Sequence, residues 1–161
     1  MPTRLPPVAI VLGLVGLIPF IVCAIALLSG SDDRAPAWIS ALIGYGAVTL
    51  AMLGGVHWGL VLGAPEIAPK TRLRLGLGIL PSLIGWAALL VTLALPSEVA
   101  LAVLIAGFVA TVLTEARLHR GGLVPSGYMW LRWACSVVAV AILVTVLTVR
   151  LLHRIWPGVS L

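Results

Sequence analysis

Charged side chains are scarce in this sequence: they account for 9% of its 161 residues, whereas hydrophobic residues account for 61%. A soluble domain has roughly a quarter of its residues charged, so this composition excludes an ordinary soluble domain and indicates an integral membrane protein. Enzyme motifs are lacking too. The sequence has no glycine-rich phosphate loop after a strand, no HExxH motif and no set that could form a Ser/His/Asp triad, so we expect no catalytic residues.

Cysteine is nearly absent from the chain. Its two cysteines, Cys23 and Cys135, lie within apolar spans, in opposite leaflets of the expected membrane. This separation excludes a disulfide between them, and it excludes a metal site built on both sulfurs. We therefore predict no metal site, and the sequence leaves the identity of any cofactor unknown.

What the sequence does contain is long apolar runs. A helix needs about 20 apolar residues to cross the hydrocarbon core of a bilayer. Five segments qualify as spans, namely residues 6–28, 38–62, 73–95, 99–118 and 130–152. Because the connections between them are short, we predict an all-α membrane bundle of five transmembrane helices that forms one domain over residues 1–161.

The basic residues predict the orientation of this bundle, because Lys and Arg collect in cytoplasmic loops. With five spans the termini lie on opposite sides of the membrane. One side carries seven basic residues and the other carries three: Arg4, Lys70, Arg72, Arg74, Arg117, Arg120 and Arg132 against Arg34, Arg150 and Arg154. The N-terminus is therefore predicted in the cytoplasm and the C-terminus outside. The net charge of +5 then reflects loops that face anionic lipid, and we expect no nucleic-acid partner.

Small residues recur at every fourth position of the second span. They are predicted to form a helix-packing seam, because small side chains let another helix approach closely: Ala47, Ala51, Gly55, Gly59 and Gly63. His57 is two residues after Gly55, a rotation of about 200°, and so lies on nearly the opposite face. Gly54, one turn before His57, is predicted to leave a notch beside the imidazole.

Four polar residues are predicted to share one depth near the cytoplasmic end of the bundle: His57, Glu115, Tyr128 and Arg132. Ionisable residues inside a membrane usually face the bundle and pair with one another. Two interpretations stay open, a structural polar cluster that sets the helix register and a site for a proton or a small ligand such as a quinone, lipid or haem. Trp58 is a further candidate for that site, and the alternative is that its indole bonds a backbone carbonyl.

Prolines interrupt two of the predicted spans. Pro19 and Pro81 each remove a backbone donor, which survives in lipid only where a neighbour or water satisfies the freed carbonyl. Each is either a packing kink or a helix break that lines a cavity, as in transporters. A transporter built from two inverted repeats is disfavoured, because five spans do not divide into equal halves.

Several stretches together resemble one uncharacterised family. They are GLIPF at 16–20, YGAVTLAMLGGVHWG at 45–59, LPSLIGW at 80–86 and YMWLR at 128–132. The family consists of small multi-pass bacterial membrane proteins together with the mitochondrial transmembrane protein 69, and it has no assigned reaction. The resemblance implies a multi-pass protein of the bacterial inner membrane.

Small size, short loops and small-residue seams favour one function over the others. We expect a non-enzymatic accessory or assembly protein that associates with a larger membrane complex or with further copies of itself. The alternatives are the proton or small-ligand site around His57, and a small transporter.

Overall fold

The structure is a computed structural model, and it describes residues 7–29, 34–62, 71–119 and 126–156. The side chains of residues 60, 71–74, 118, 119 and 126–128 lie outside this description. Six helices follow one another along the described chain: α1 (Pro7–Val15), α2 (Ile18–Leu28), α3 (Ala35–Leu62), α4 (Thr71–Val91), α5 (Ser97–His119) and α6 (Ser126–Ile155). The described residues are helices and the turns between them, which confirms the predicted all-α membrane fold.

Four apolar stretches in the described chain are long enough to cross a membrane: Pro7–Leu28, Ala35–Gly59, Ser97–Arg117 and Met129–Ile155. The remaining predicted span, at 73–95, corresponds to a shorter apolar stretch, Leu75–Val91. Residues after Val91 form turns, in which the amide groups of Thr92 and Leu93 donate to carbonyls three residues earlier. Pro96 follows this turn, and a proline disfavours helical geometry in the residue before it.

The first span is two helices rather than one. Pro19 is in the first turn of α2, and the break lies just before it at Gly16 and Leu17. The Tyr45 hydroxyl of α3 donates a hydrogen bond of 2.9 Å to the Gly16 carbonyl. Thus a neighbouring helix satisfies a polar group at the break, as the low dielectric of a bilayer requires.

Helix α3 is the central element of the bundle. It packs against α2, α4 and α5, while α6 packs against α5 and the first span. Of the best 18-residue apolar window in α3, 44% is buried, against 17% for the first span. The interior is aliphatic with a few aromatic rings, and its largest fully buried side chains are Phe20, Phe108, Leu42, Ile43, Leu50, Leu101, Leu104, Leu143 and Val146.

Glycines set the close contact between α3 and α4. A Cβ placed on Gly54 would collide with the Gly78 carbonyl, and one placed on Gly85 would lie 2.8 Å from the Ala47 carbonyl. The two backbones therefore touch at two levels separated by seven residues on each helix. Helix α4 is one continuous helix through Pro81, and α3 packs against it.

The glycine contact gives a test with a matched control. Gly54→Ala should lower the Tm, because the added methyl group forces the α3 and α4 backbones apart. Gly55→Ala should leave the Tm unchanged or raise it, because nothing lies within 4 Å of its Cβ position and alanine favours a helix by about 1 kcal/mol over glycine. Thermal melting of both variants in the same detergent measures the difference, and equal melting temperatures would contradict this packing.

Candidate functional site

Three ionisable side chains from three helices meet inside the bundle. Glu115 of α5 and Arg132 of α6 are buried and form an ion pair between Oε1 and Nη2. His57 of α3 approaches the same carboxylate oxygen, with Nε2 at 3.4 Å from Oε1. Arg132 also donates through Nη2 to the Leu53 carbonyl of α3 at 2.7 Å. These three side chains and the Leu53 carbonyl are called the polar cluster below.

The sequence pattern of α6 explains why Arg132 faces inward. The buried positions of this helix recur at alternating intervals of three and four, namely Met129, Arg132, Ser136, Ala139, Leu143 and Val146. That interval marks one face of a helix, so Arg132 occupies a core position and its charge cannot reach water without turning α6. Glu115 is likewise on the buried face of α5, one turn after the buried Thr111.

The electrostatics of the polar cluster favour pairing. An isolated charge in a low-dielectric interior costs many kcal/mol, so buried ionisable groups in membrane helices pair with each other or with carbonyls. Glu115 and Arg132 bring opposite charges together, and the Leu53 carbonyl accepts a further hydrogen bond from the guanidinium. The cluster therefore ties α3, α5 and α6 together at one level of the bundle.

The other predicted site residues lie elsewhere. The Trp58 indole donates to the Leu75 carbonyl of α4 at 3.0 Å, and the side chain is 43% exposed. Gly54 does not leave a notch for a ligand, because the α4 backbone at Gly78 occupies that space; the sequence shows a small residue but not which helix fills the gap. The Tyr128 side chain is among those outside the description.

The predicted small-residue seam is only partly used within the chain. Ala47 is buried against Gly85 of α4, whereas a Cβ built on Gly55 or Gly59 has no atom of another described element within 4 Å. Ala51 is half-buried, and Gly63 lies outside the described residues. The part of the stripe at Gly55 and Gly59 is thus open to the surroundings of the bundle.

A small cavity adjoins the polar cluster between α3, α4 and α5. Its volume is about 70 Å³, and it is lined by His57, Leu77, Leu80, Pro81, Ile84, Ala110, Thr111 and Thr114. Pro81 has no N–H to donate to the Leu77 carbonyl one turn earlier, so that carbonyl lacks its usual helical partner. The Thr111 hydroxyl donates within its own helix to the Gly107 carbonyl at 2.8 Å. The residues that line the cavity therefore include a histidine, two threonines, and Pro81 with Leu77, whose carbonyl Pro81 leaves without its helical donor.

Comparisons with known proteins place the chain in a family. Residues 5–148 match the family described as "Protein of unknown function (DUF3429)". This match covers most of the sequence, so the chain belongs to that family.

Curated relatives agree with the family match. The chain is 39% identical to Transmembrane protein 69 of Xenopus tropicalis over 85 residues, which are 53% of this chain and 33% of that protein. It is 34% identical to Transmembrane protein 69 of Mus musculus over 85 residues, which are 53% of this chain and 34% of that protein. The aligned region spans about a third of the length of these relatives. No solved structure matches the chain. The resemblance seen in the sequence motifs is confirmed.

Two ion pairs in one chain allow a direct comparison of burial. Glu115→Ala leaves the buried Arg132 without its counter-charge and should cost about 3–5 kcal/mol. Glu98→Ala breaks the more exposed pair with Arg150, whose guanidinium side chain is 32% exposed, and should cost about 1 kcal/mol or less. Unfolding in mixed micelles measures both free energies. A Glu115 variant as stable as the Glu98 variant would show that the buried pair does not hold the helices together.

Proposed function

We propose that this chain is a non-enzymatic accessory or assembly protein of the bacterial inner membrane, which binds a larger membrane complex laterally through helix α3. In the proposed orientation the N-terminus is cytoplasmic and the C-terminus lies outside, as the distribution of basic residues favours. The observation that carries the proposal is the open pair Gly55 and Gly59, exposed on a helix that is otherwise the most buried span.

Gly55 and Gly59 form a GxxxG motif within an apolar helix. In a bilayer, helices associate through close van der Waals contact, and two glycines four residues apart remove the side chains that would hold backbones apart. Within this chain α4 already uses Gly54 for such a contact, while none of the helices in the described ranges packs against Gly55. The motif therefore supports association with a helix from outside this chain.

The residues around this motif complete a regular face. At alternating intervals of four and three, α3 presents exposed residues that we call the α3 outer face: Val48, Met52, Gly55, Gly59 and Leu62. Large apolar residues at both ends and glycines in the middle suit the crossing of a second helix at the glycines. None of these side chains carries a charge, as lateral contact within the hydrocarbon requires.

The polar cluster supports a non-enzymatic function. Its arginine is engaged by Glu115 and the Leu53 carbonyl, and His57 lies beside the same carboxylate. Groups held in mutual contact and buried from solvent set the register of helices without a substrate.

Bulky residues at the two glycines test the lateral contact. The double variant Gly55→Ile and Gly59→Ile should lose co-purifying membrane proteins in mild detergent, because the side chains block close approach. Gly76→Ile is the matched control, since Gly76 is also exposed and nothing lies within 4 Å of its Cβ position. Both variants should keep the parent's Tm.

The bound proteins are identified by mass spectrometry of the native preparation. A differently tagged second copy in the same cells distinguishes a homo-oligomer from a complex with another protein. If the parent purifies only as a free monomer, or if the double variant keeps the same bound proteins as the parent, the accessory function is excluded.

The cavity beside His57 favours a second candidate function, a proton or small-ligand site. A cavity of this size has room for water or a few ligand atoms, and its freed carbonyl and threonine hydroxyls provide polar partners. His57 lines the cavity and also contacts Glu115, so it is the one side chain that connects the cavity to the buried ion pair.

The second candidate predicts a specific loss at His57. His57→Ala should abolish the rise in Tm that a quinone, lipid or haem produces in the parent, or it should abolish proton flux in vesicles, while the protein still inserts. His153→Ala is the control, because His153 is exposed and lies near the C-terminal end of α6, far from the polar cluster. Equal ligand responses in the parent and the His57 variant would remove this candidate.

A further inference from the structure

A second, larger cleft lies at the end of the bundle opposite the polar cluster. It has a volume of about 380 Å³, and the following residues line it: Ala35, Pro36, Ile39, Ser40, Ile43, Thr92, Ser97 and Arg150. We call it the end cleft. Arg150 follows Arg132 by 18 positions on α6, a distance of about 27 Å along a helix axis. The two sites are therefore on opposite sides of the membrane-spanning core.

Aromatic residues mark this end as the level of lipid headgroups. Trp38 is near the start of α3 and Trp156 directly follows α6, and both belong to the end that carries the cleft. Tryptophan concentrates at the boundary between hydrocarbon and headgroups. The cleft thus opens where the phosphates of a bilayer are found.

Arg150 is held in a fixed position in this cleft. Its Nε donates to Oε1 of Glu98 on α5 at 3.1 Å. Within the described part of the chain, no hydrogen bond engages its two terminal nitrogens, and the side chain remains 32% exposed. The hydrogen bond at Nε therefore orients the guanidinium. Its two terminal nitrogens can then donate to another acceptor.

The remaining polar groups of the end cleft limit what it can bind. The Ser40 hydroxyl donates to the Pro36 carbonyl at 2.8 Å, and the Thr92 hydroxyl donates to the Leu89 carbonyl at 2.6 Å. Both hydroxyl protons are therefore engaged in hydrogen bonds to carbonyls three or four residues earlier in the chain. Among the side chains that line the cleft, those of Arg150 and Ser97 keep donors for a ligand, so the polar part of the cleft suits an oxyanion.

The apolar part of the end cleft lies on α3. Ile39 and Ile43 are buried and line the cleft one turn apart. At 5% and 1% exposure these two side chains form a closed apolar floor, so the acyl chains of a lipid bound through its phosphate lie in the bilayer beside the cleft. Free inorganic phosphate has no such chains to hold it at this depth.

We propose that the end cleft binds the headgroup of a membrane phospholipid, with the phosphodiester on the terminal nitrogens of Arg150 and the acyl chains in the surrounding bilayer. Arginine matches phosphate through parallel charge-assisted hydrogen bonds, and the two tryptophans place the cleft at the depth of the lipid phosphates. Glu98 is a positioning residue: it orients the guanidinium and does not touch the lipid.

Native mass spectrometry of the full chain in a neutral maltoside detergent, titrated with short-chain phosphatidylglycerol, tests the proposal. The parent should bind one lipid at this site. Arg150→Gln should weaken that binding about tenfold or more, the loss expected for a charge-assisted hydrogen bond. Arg154→Gln is the matched control on the exposed surface of the same helix and should bind like the parent.

Two further variants separate binding from folding. Glu98→Gln keeps an oxygen for Nε but removes the competing negative charge, so it should bind the lipid at least as tightly as the parent. Arg150→Lys keeps the charge and should bind with intermediate affinity, and it replaces Arg150→Gln if that variant does not fold. Thermal melting without lipid checks that the compared variants are folded.

Three results would overturn the proposal. The first is a parent-like affinity of the Arg150 variants, and the second is an equal loss with Arg154→Gln, which would indicate general surface charge. The third is full competition by inorganic phosphate at the same concentration as the lipid, which would show that the acyl chain contributes nothing and that free phosphate is the ligand. None of these results depends on the contact proposed at Gly55 and Gly59.

Discussion

The ion pair between Glu115 and Arg132 is the constraint on which the rest of the bundle depends. In hydrocarbon neither charge is stable alone, and both side chains are buried in the interior of the bundle. The pair therefore opposes sliding of α6 along α5. Because Arg132 also bonds the Leu53 carbonyl and His57 lies beside Glu115, the same constraint extends to α3. A single buried charge pair thus contacts three helices, and we propose that it sets their register, which hydrophobic packing alone specifies poorly in lipid.

Glycine has two opposite functions around this constraint. Gly54, Gly78 and Gly85 make contacts within the chain, where they let α3 and α4 pack closely. Gly55 and Gly59 have the same chemistry and lie on the same helix, but they face away from every described neighbour. The contact between α3 and α4 is therefore made within the described part of the chain. The surfaces that we propose for binding lie at the periphery: the α3 outer face within the hydrocarbon, and the end cleft at the headgroup level.

Much of this arrangement could be predicted from the sequence, because a bilayer makes composition and depth informative. Length and hydropathy located the helices, and counting residues from the span ends placed His57, Glu115 and Arg132 at one level before any contact was known. Periodicity could not show which of two adjacent glycines faces α4, since Gly54 and Gly55 differ by only 100° on the helix. Nor could periodicity predict that the Leu53 carbonyl accepts a hydrogen bond from Arg132, because the residue type does not distinguish one backbone carbonyl from another. The cavity beside Pro81 had a signal, a proline within a span, but its lining comes from three helices that only the fold brings together.

The central claim is that Glu115 and Arg132 act as one unit rather than as two independent polar residues. A double-mutant cycle with Glu115→Leu, Arg132→Met and the double variant measures this coupling as a free energy of unfolding. The account predicts that each single variant is strongly destabilised and that the double variant is more stable than the sum of the single losses implies, by about 1–3 kcal/mol. Losses that simply add would contradict the claim, because they would show that neither residue depends on the other.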